Sequence, residues 1–196
     1  MSDPLFDGDD AANTPLEPAG RDDLIPTYIA TRAELNAAEQ ENISEADRWA
    51  FSRRRDVLDV AFLMNLHRRM LRRVWRWAGA RRATDRNIGL PPHQIEVALH
   101  PLVGDARYWV ENGTYPEDEL ALRFHHRLVE IHPFPNGNGR HGRMAADLLI
   151  VQLGGARFSW GGANLVEPAA TRGAYVQPLQ AADGLDIVPL LAFARS

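Results

Sequence analysis

The chain has no cysteine and no lysine. Without thiols, disulfides, thiolate metal sites and cysteine nucleophiles are excluded, and the absence weakly favours a reducing compartment. Without lysine, all 22 positive residues are arginines, so neither a P-loop lysine nor Schiff-base chemistry is available. Any phosphate must be held by guanidinium groups, backbone N–H groups or a metal. Also lacking is an uninterrupted apolar run of membrane-spanning length, since the longest candidates contain Gly, Arg or Gln. The first stretch, MSDPLFDGDDAANTPLEPAG, has neither the basic start nor the apolar middle of a secretory signal. These absences lead to the expectation of a cytoplasmic protein with no membrane partner.

What is present is ordinary for a globular chain: 196 residues, 45% of them hydrophobic and 24% charged, enough for one buried core. Residues 1–25 read as a flexible acidic leader and 26–196 as the folded domain. A net charge of −4 argues against broad attraction to nucleic acid. The stretch from Arg48 to Arg86 is nevertheless dense in arginine. It reads either as a binding surface or as a solvated helix face opposite Leu63, Leu66, Met70 and Val74.

Helical patterns dominate, and the expected class is all-α with one small β-hairpin. Ser44, Glu45 and Asp47 predict a capped helix start, with helix running to about Trp75 and a break near Asp56. Residues 82–92, RATDRNIGLPP, carry turn formers around a short apolar patch and suit a hairpin. Pro92 begins another helix, kinked at Pro101 and running through Trp109. Pro116 followed by Glu117, Asp118 and Glu119 starts the next, with Leu120, Phe124, Leu128 and Ile131 as its buried stripe. A further helix runs from Gly137–Gly139 to near Gly154, and two short ones cover about 168–182 and 187–195.

The stretch IHPFPNGNGRHGRM, residues 131–144, joins two of these helices with unusual chemistry. A helix N-terminus has unpaired N–H groups and a positive dipole end, and glycines let a ligand approach them closely. Gly137, Asn138 and Gly139 stand at that point. Arg140 and Arg143 are three apart, hence neighbours on one helix side, and two guanidiniums suit the oxygens of a polyphosphate. His132 closes the preceding helix, where an imidazole can take a proton from an incoming hydroxyl. The combination points to phosphoryl or nucleotidyl transfer.

Residues His132 to Arg143 resemble the Fic family signature, H-P-F-x-[D/E]-G-N-G-R-x-x-R, at every defined position except one. The surrounding WRWAG, DRNIG and PLLAFARS look most like the subgroup called mobile mystery protein B. The resemblance implies an all-α Fic domain over 26–196, with its signature at 132–143. It also implies transfer of AMP from ATP, with Mg²⁺, to a hydroxyl side chain of a target protein. By that likeness His132 is the general base, and Gly137, Asn138, Gly139, Arg140 and Arg143 bind the phosphates. Asn87, Ile88 and Gly89 form the flap that aligns the target. Tyr175 sits where it either contacts the nucleotide base or packs between helices. The subgroup's name implies a companion, mobile mystery protein A, as an antitoxin-like partner. Rival functions are transfer of another phosphate-containing group, as in a Doc-like kinase, and a catalytically weak regulatory or nucleic-acid-binding module.

Two positions depart from the resembling pattern. Asn136 stands where the family has a metal-binding Asp or Glu, and its neutral amide is a poorer partner for a hard cation. Upstream, Ala37 to Asn42 (AAEQEN) resembles the family's inhibitory motif without its leading hydroxyl residue. Glu41 is there the inhibitory candidate, predicted to pair with Arg143, and Glu39 is the rival. His125 and His126 are adjacent on a helix and point in different directions, so they make a poor metal pair.

Overall fold

Thr31 starts the first long helix through a reciprocal capping box: its hydroxyl accepts the Glu34 N–H at 3.3 Å while Glu34 Oε2 accepts the Thr31 N–H at 2.9 Å. The computed structural model describes residues 18–162 and 168–196. Helix α1 (Arg32–Phe51) therefore begins twelve residues before the predicted start at Ser44, whose hydroxyl instead donates back to the Gln40 carbonyl. The predicted break near Asp56 is present. Asp59 then caps α2 (Val60–Leu71) by accepting two first-turn N–H groups.

Pro92–Gln94 form a short 3-10 turn leading into α3 (Ile95–Asn112), which continues through Pro101. Pro116 and three acids open α4 (Glu117–Ile131), as the sequence predicts. Then follow α5 (Asn138–Gln152), α6 (Pro168–Asp183) and α7 (Val188–Arg195). The all-α class is borne out. Helices α4 and α5 form the central pair, with α1 and α2 packed on one side, α3 against α4, and α6 with α7 closing the rest. The shared core includes Leu66, Met70, Leu99, Phe124, Leu149 and Leu190. Among the described residues no helix is long and apolar enough to cross a membrane.

Two expectations are corrected here. Residues 1–17 of the predicted leader lie outside the described residues, but 22–25 are docked on the body. Leu24 bridges Trp75 in antiparallel sense, the Ile25 N–H donates to Val74 O at 2.9 Å, and the Arg76 N–H donates to Asp23 O at 2.9 Å. The predicted hairpin at 82–92 has no strand pairing of its own. Its two ends bond instead to the loop after α4, Arg82 N–H to Pro133 O at 3.0 Å and Leu90 N–H to Ile131 O at 3.4 Å. The carbonyls that a hairpin would use internally are taken by the Arg82 guanidinium.

Candidate active site

The loop 133–136 is short because both of its ends adopt left-handed backbone. His132 ends α4 at φ 52 and Gly137 begins α5 at φ 78. Gly137 suits this position chiefly through its angle, which favours glycine, and an added Cβ would also crowd Leu71 Cδ1 at 2.8 Å. Asn138 closes the loop with a reciprocal amide pair. Its side chain accepts the Phe134 N–H and donates to the Phe134 carbonyl, both at 2.9 Å. Asn138 is expected to bind phosphate; its side chain also holds the loop, with one amide N–H used on Phe134 and the second not engaged by these two bonds.

No side chain caps α5, so the first N–H groups of that helix are left for an external acceptor. Arg140 and Arg143 follow on the same side. Both line a groove of about 450 Å³ between α1 and α5, together with Gln40, Ser44, Arg48, Asp147 and Arg157. Arg143 lies over the Tyr175 ring at 4.9 Å and is half-buried. Tyr175 packs between helices, with its hydroxyl 3.0 Å from His125 Nε2 and its phenol pushed up to about 12 by burial. That hydroxyl stands 3.5 Å from where a Cβ on Gly139 would be, at the edge of the anion cradle.

The two inhibitory candidates are placed differently. Glu41 is exposed, whereas Glu39 is buried and meets the first signature arginine, not the second: Arg140 Nη1 to Glu39 Oε2 is 2.6 Å. The other carboxylate oxygen accepts the Trp75 indole N–H at 2.6 Å. A carboxylate held this firmly against Arg140 occupies the charge that a phosphate would seek.

His132 is buried beneath the 82–90 segment, away from the groove. Its ring nitrogens make no hydrogen bond of full geometry within the protein, although the Val129 backbone lies close enough to act on the ring. Burial, reinforced by the Arg82 and Arg86 charges, pushes its imidazole down to about 4, so at neutral pH it is an unprotonated base. Of the flap residues, Gly89 lies directly on it: an added Cβ there would be 2.4 Å from His132 Cβ. Ile88 is exposed at the tip.

Sequence reasoning missed His67. It is buried on α2, stacked on Phe134 with centroids 3.6 Å apart and planes within 5°. Its Nδ1 accepts the Gly79 N–H at 3.0 Å, so Nε2 carries the proton and donates to the Asn136 carbonyl at 3.0 Å. One imidazole thus fixes the signature loop to the turn after α2. The available signal was a lone histidine at the position after Leu66 in an otherwise apolar face. His125 and His126 do diverge, the first toward Tyr175 and the second to Asp183 at 2.7 Å.

The arginine-rich stretch is not one free surface. Arg55 and Arg69 stack on Trp49, Arg73 and Arg81 pair with Glu45 and Glu96, and Arg82 is buried.

For a metal the donor set is poor. Among the described residues no cluster of three His, Asp or Glu ligands exists. Asn136 offers only an amide oxygen, which already accepts the Gly137 N–H at 2.6 Å. These residues do not make a resident Mg²⁺ site.

The site thus joins an uncapped helix start, two arginines on one side of α5 and a neutral imidazole closing α4. Residues 57–150 match the model of the Fic/DOC family, and the chain carries a Fic/DOC family domain. Over 138 residues it is 31% identical to a protein adenylyltransferase Fic of Drosophila grimshawi, covering 67% of this chain and 26% of that protein. The chain thus spans about a quarter of the length of the curated relatives it matches. In fold it resembles Fic-1 from C. elegans, with TM-score 0.64 and 24% identity over 88% of this chain and 50% of that one. It also resembles an ADP-bound N-terminal Fic domain from Bartonella quintana, with TM-score 0.65 and 17% identity over 97% and 92% of the two chains.

Proposed function

We propose that this chain is a protein adenylyltransferase. A target hydroxyl oxygen attacks the α-phosphorus of ATP, His132 accepts the hydroxyl proton, a new P–O bond forms, and pyrophosphate leaves. The observation that carries the reading is the buried, neutral His132 imidazole, placed one short loop from the open start of α5. The relatives named as adenylyltransferases and the ADP-bound neighbour support it.

In this reading the α5 amides and Arg143 hold the phosphates, and Arg140 joins them when Glu39 releases it. Glu39, not Glu41, is the inhibitory acid. The 82–90 segment, with Asn87, Ile88 and Gly89 at its tip, receives the target segment by main-chain pairing. Mg²⁺ arrives with the nucleotide as part of the substrate. A cytoplasmic location, the mobile mystery protein B subgroup and a mobile mystery protein A companion belong to the same proposal and rest on the signature resemblance.

Incubation with labelled ATP tests the reaction class. Label from the α-phosphate on protein supports AMP transfer; label from the γ-phosphate alone replaces it with kinase chemistry.

Asn136→Asp supplies the carboxylate that the loop lacks. The Mg²⁺ concentration giving half-maximal labelling is expected to fall by about tenfold, one charge-assisted contact's worth, with labelling at low Mg²⁺ increased. An unchanged Mg²⁺ dependence with ATP still bound would show that this position does not limit the reaction.

A further inference from the structure

A second buried side chain serves the base without touching the groove. Arg82 is 4% exposed, unusual for arginine. Its Nε donates to the His132 carbonyl at 2.7 Å, Nη1 to the Thr84 carbonyl at 3.0 Å, and Nη2 to the Leu90 carbonyl. Its own N–H donates to Pro133 O at 3.0 Å. One guanidinium therefore ties together the residue bearing the imidazole and both ends of the segment that covers it.

The need for such a tie is local. His132 is held at φ 52, a left-handed conformation that is strained for an ordinary side chain and persists only where surroundings enforce it. Gly89 lies against both partners, since an added Cβ would stand 2.4 Å from His132 Cβ and 2.9 Å from Arg82 Nη2. The 82–90 segment has no ladder of its own to keep it in place. Arginine suits the task because its planar fork reaches three carbonyls at once in fixed directions, which a lysine ammonium does not.

We propose that Arg82 is a positioning residue for the transfer reaction: its guanidinium clamps the His132 main chain and the covering segment into one rigid unit, so that a target segment paired to the flap is automatically in register with the imidazole. The effect on turnover rests on the adenylyl-transfer reading; the clamp itself does not. Arg82 also places a positive charge beside His132, as does Arg86, so the clamp helps to keep the base unprotonated.

The test compares wild type, Arg82→Lys and Arg82→Gln by amide exchange and by labelling kinetics. Both variants are expected to exchange the 82–90 amides at least about tenfold faster, the loss of one charge-assisted bond or more. Both are expected to lower kcat for labelling with the KM for ATP unchanged, because the groove arginines are untouched. Only Arg82→Gln removes the charge, so only there does the acid limb of the pH–rate profile move to higher pH. Wild-type exchange and kcat in Arg82→Lys would overturn the proposal. So would a kcat loss matched by an equal change in KM for ATP. Arg82→Lys carries the decision if Arg82→Gln does not fold. If wild type itself transfers no label, the adenylyl-transfer reading fails, while amide exchange still judges the clamp.

Discussion

In a His132→Ala protein, transfer of α-phosphate label from ATP falls by about 10²- to 10⁴-fold, the usual contribution of a positioned general base, while ATP affinity is unchanged. The separation follows from geometry. The imidazole lies under the 82–90 segment and does not line the groove that holds Arg140 and Arg143, so the two functions are carried by different side chains. Because burial and the Arg82 charge already keep the ring neutral, the wild-type rate should be nearly flat between pH 6 and 8, without the inflection near 6.5 that an exposed histidine shows. Rate measurements on the variant, with binding followed by calorimetry, check both parts. Loss of ATP binding in step with rate would move His132 from the base to the binding site.

Acid should unfold this protein at unusually mild pH. Four histidines, His67, His125, His132 and His141, are buried, and burial is the largest cause holding each below its usual range: His125 at about 3, His132 and His141 at about 4, His67 well below normal. Above pH 6.5 they are neutral in folded and unfolded chains alike and contribute no pH dependence. Below it the unfolded chain takes up protons that the folded one refuses, and stability falls as pH falls toward the folded values. Each histidine costs about 1.4 kcal/mol per pH unit, so His125, His132 and His141 together remove about 6 kcal/mol by pH 5, and His67 acts in the same direction. That is comparable to the whole stability of a domain. Asp147, whose carboxyl burial raises above the usual carboxylate range, acts in the opposite sense as it takes up its proton. Denaturant titrations at pH 7.5, 6 and 5 measure the slope. A midpoint that does not move over this range would mean that these imidazoles are not refused protons in the fold.

Much of the helical frame around the signature loop is legible in the sequence, and the reasons for the exceptions are physical. Local rules worked where a residue's neighbours in sequence decide its conformation: Pro116 and three acids start α4, and Gly137 begins α5. They failed where a competing local partner was overlooked. Thr31 with Glu34 makes a complete capping box, which outcompetes the isolated Ser44 as a helix start. The hairpin failed because a side chain 50 residues from its main partner, Arg82 on the His132 carbonyl, replaced strand pairing. Glu39 and Glu41 differ in helical phase. Two residues apart on a helix, the side chains point in nearly opposite directions, and α1 turns Leu35, Glu39, Asn42, Ala46 and Ala50 inward. That spacing of four, three, four and four was visible in the sequence, but the motif drew attention to its neighbour.

The central claim is that a polyphosphate docks at Arg140, Arg143 and the start of α5, and that Glu39 competes with it for Arg140. Calorimetric titration of ATP into wild type and Glu39→Gln tests this most directly, since glutamine keeps an acceptor for the Trp75 indole and removes only the charge on Arg140. The expected result is affinity at least about tenfold tighter in Glu39→Gln, the worth of one charge-assisted contact, with Glu41→Gly indistinguishable from wild type. ATP that binds neither protein, or binds both equally, would contradict it.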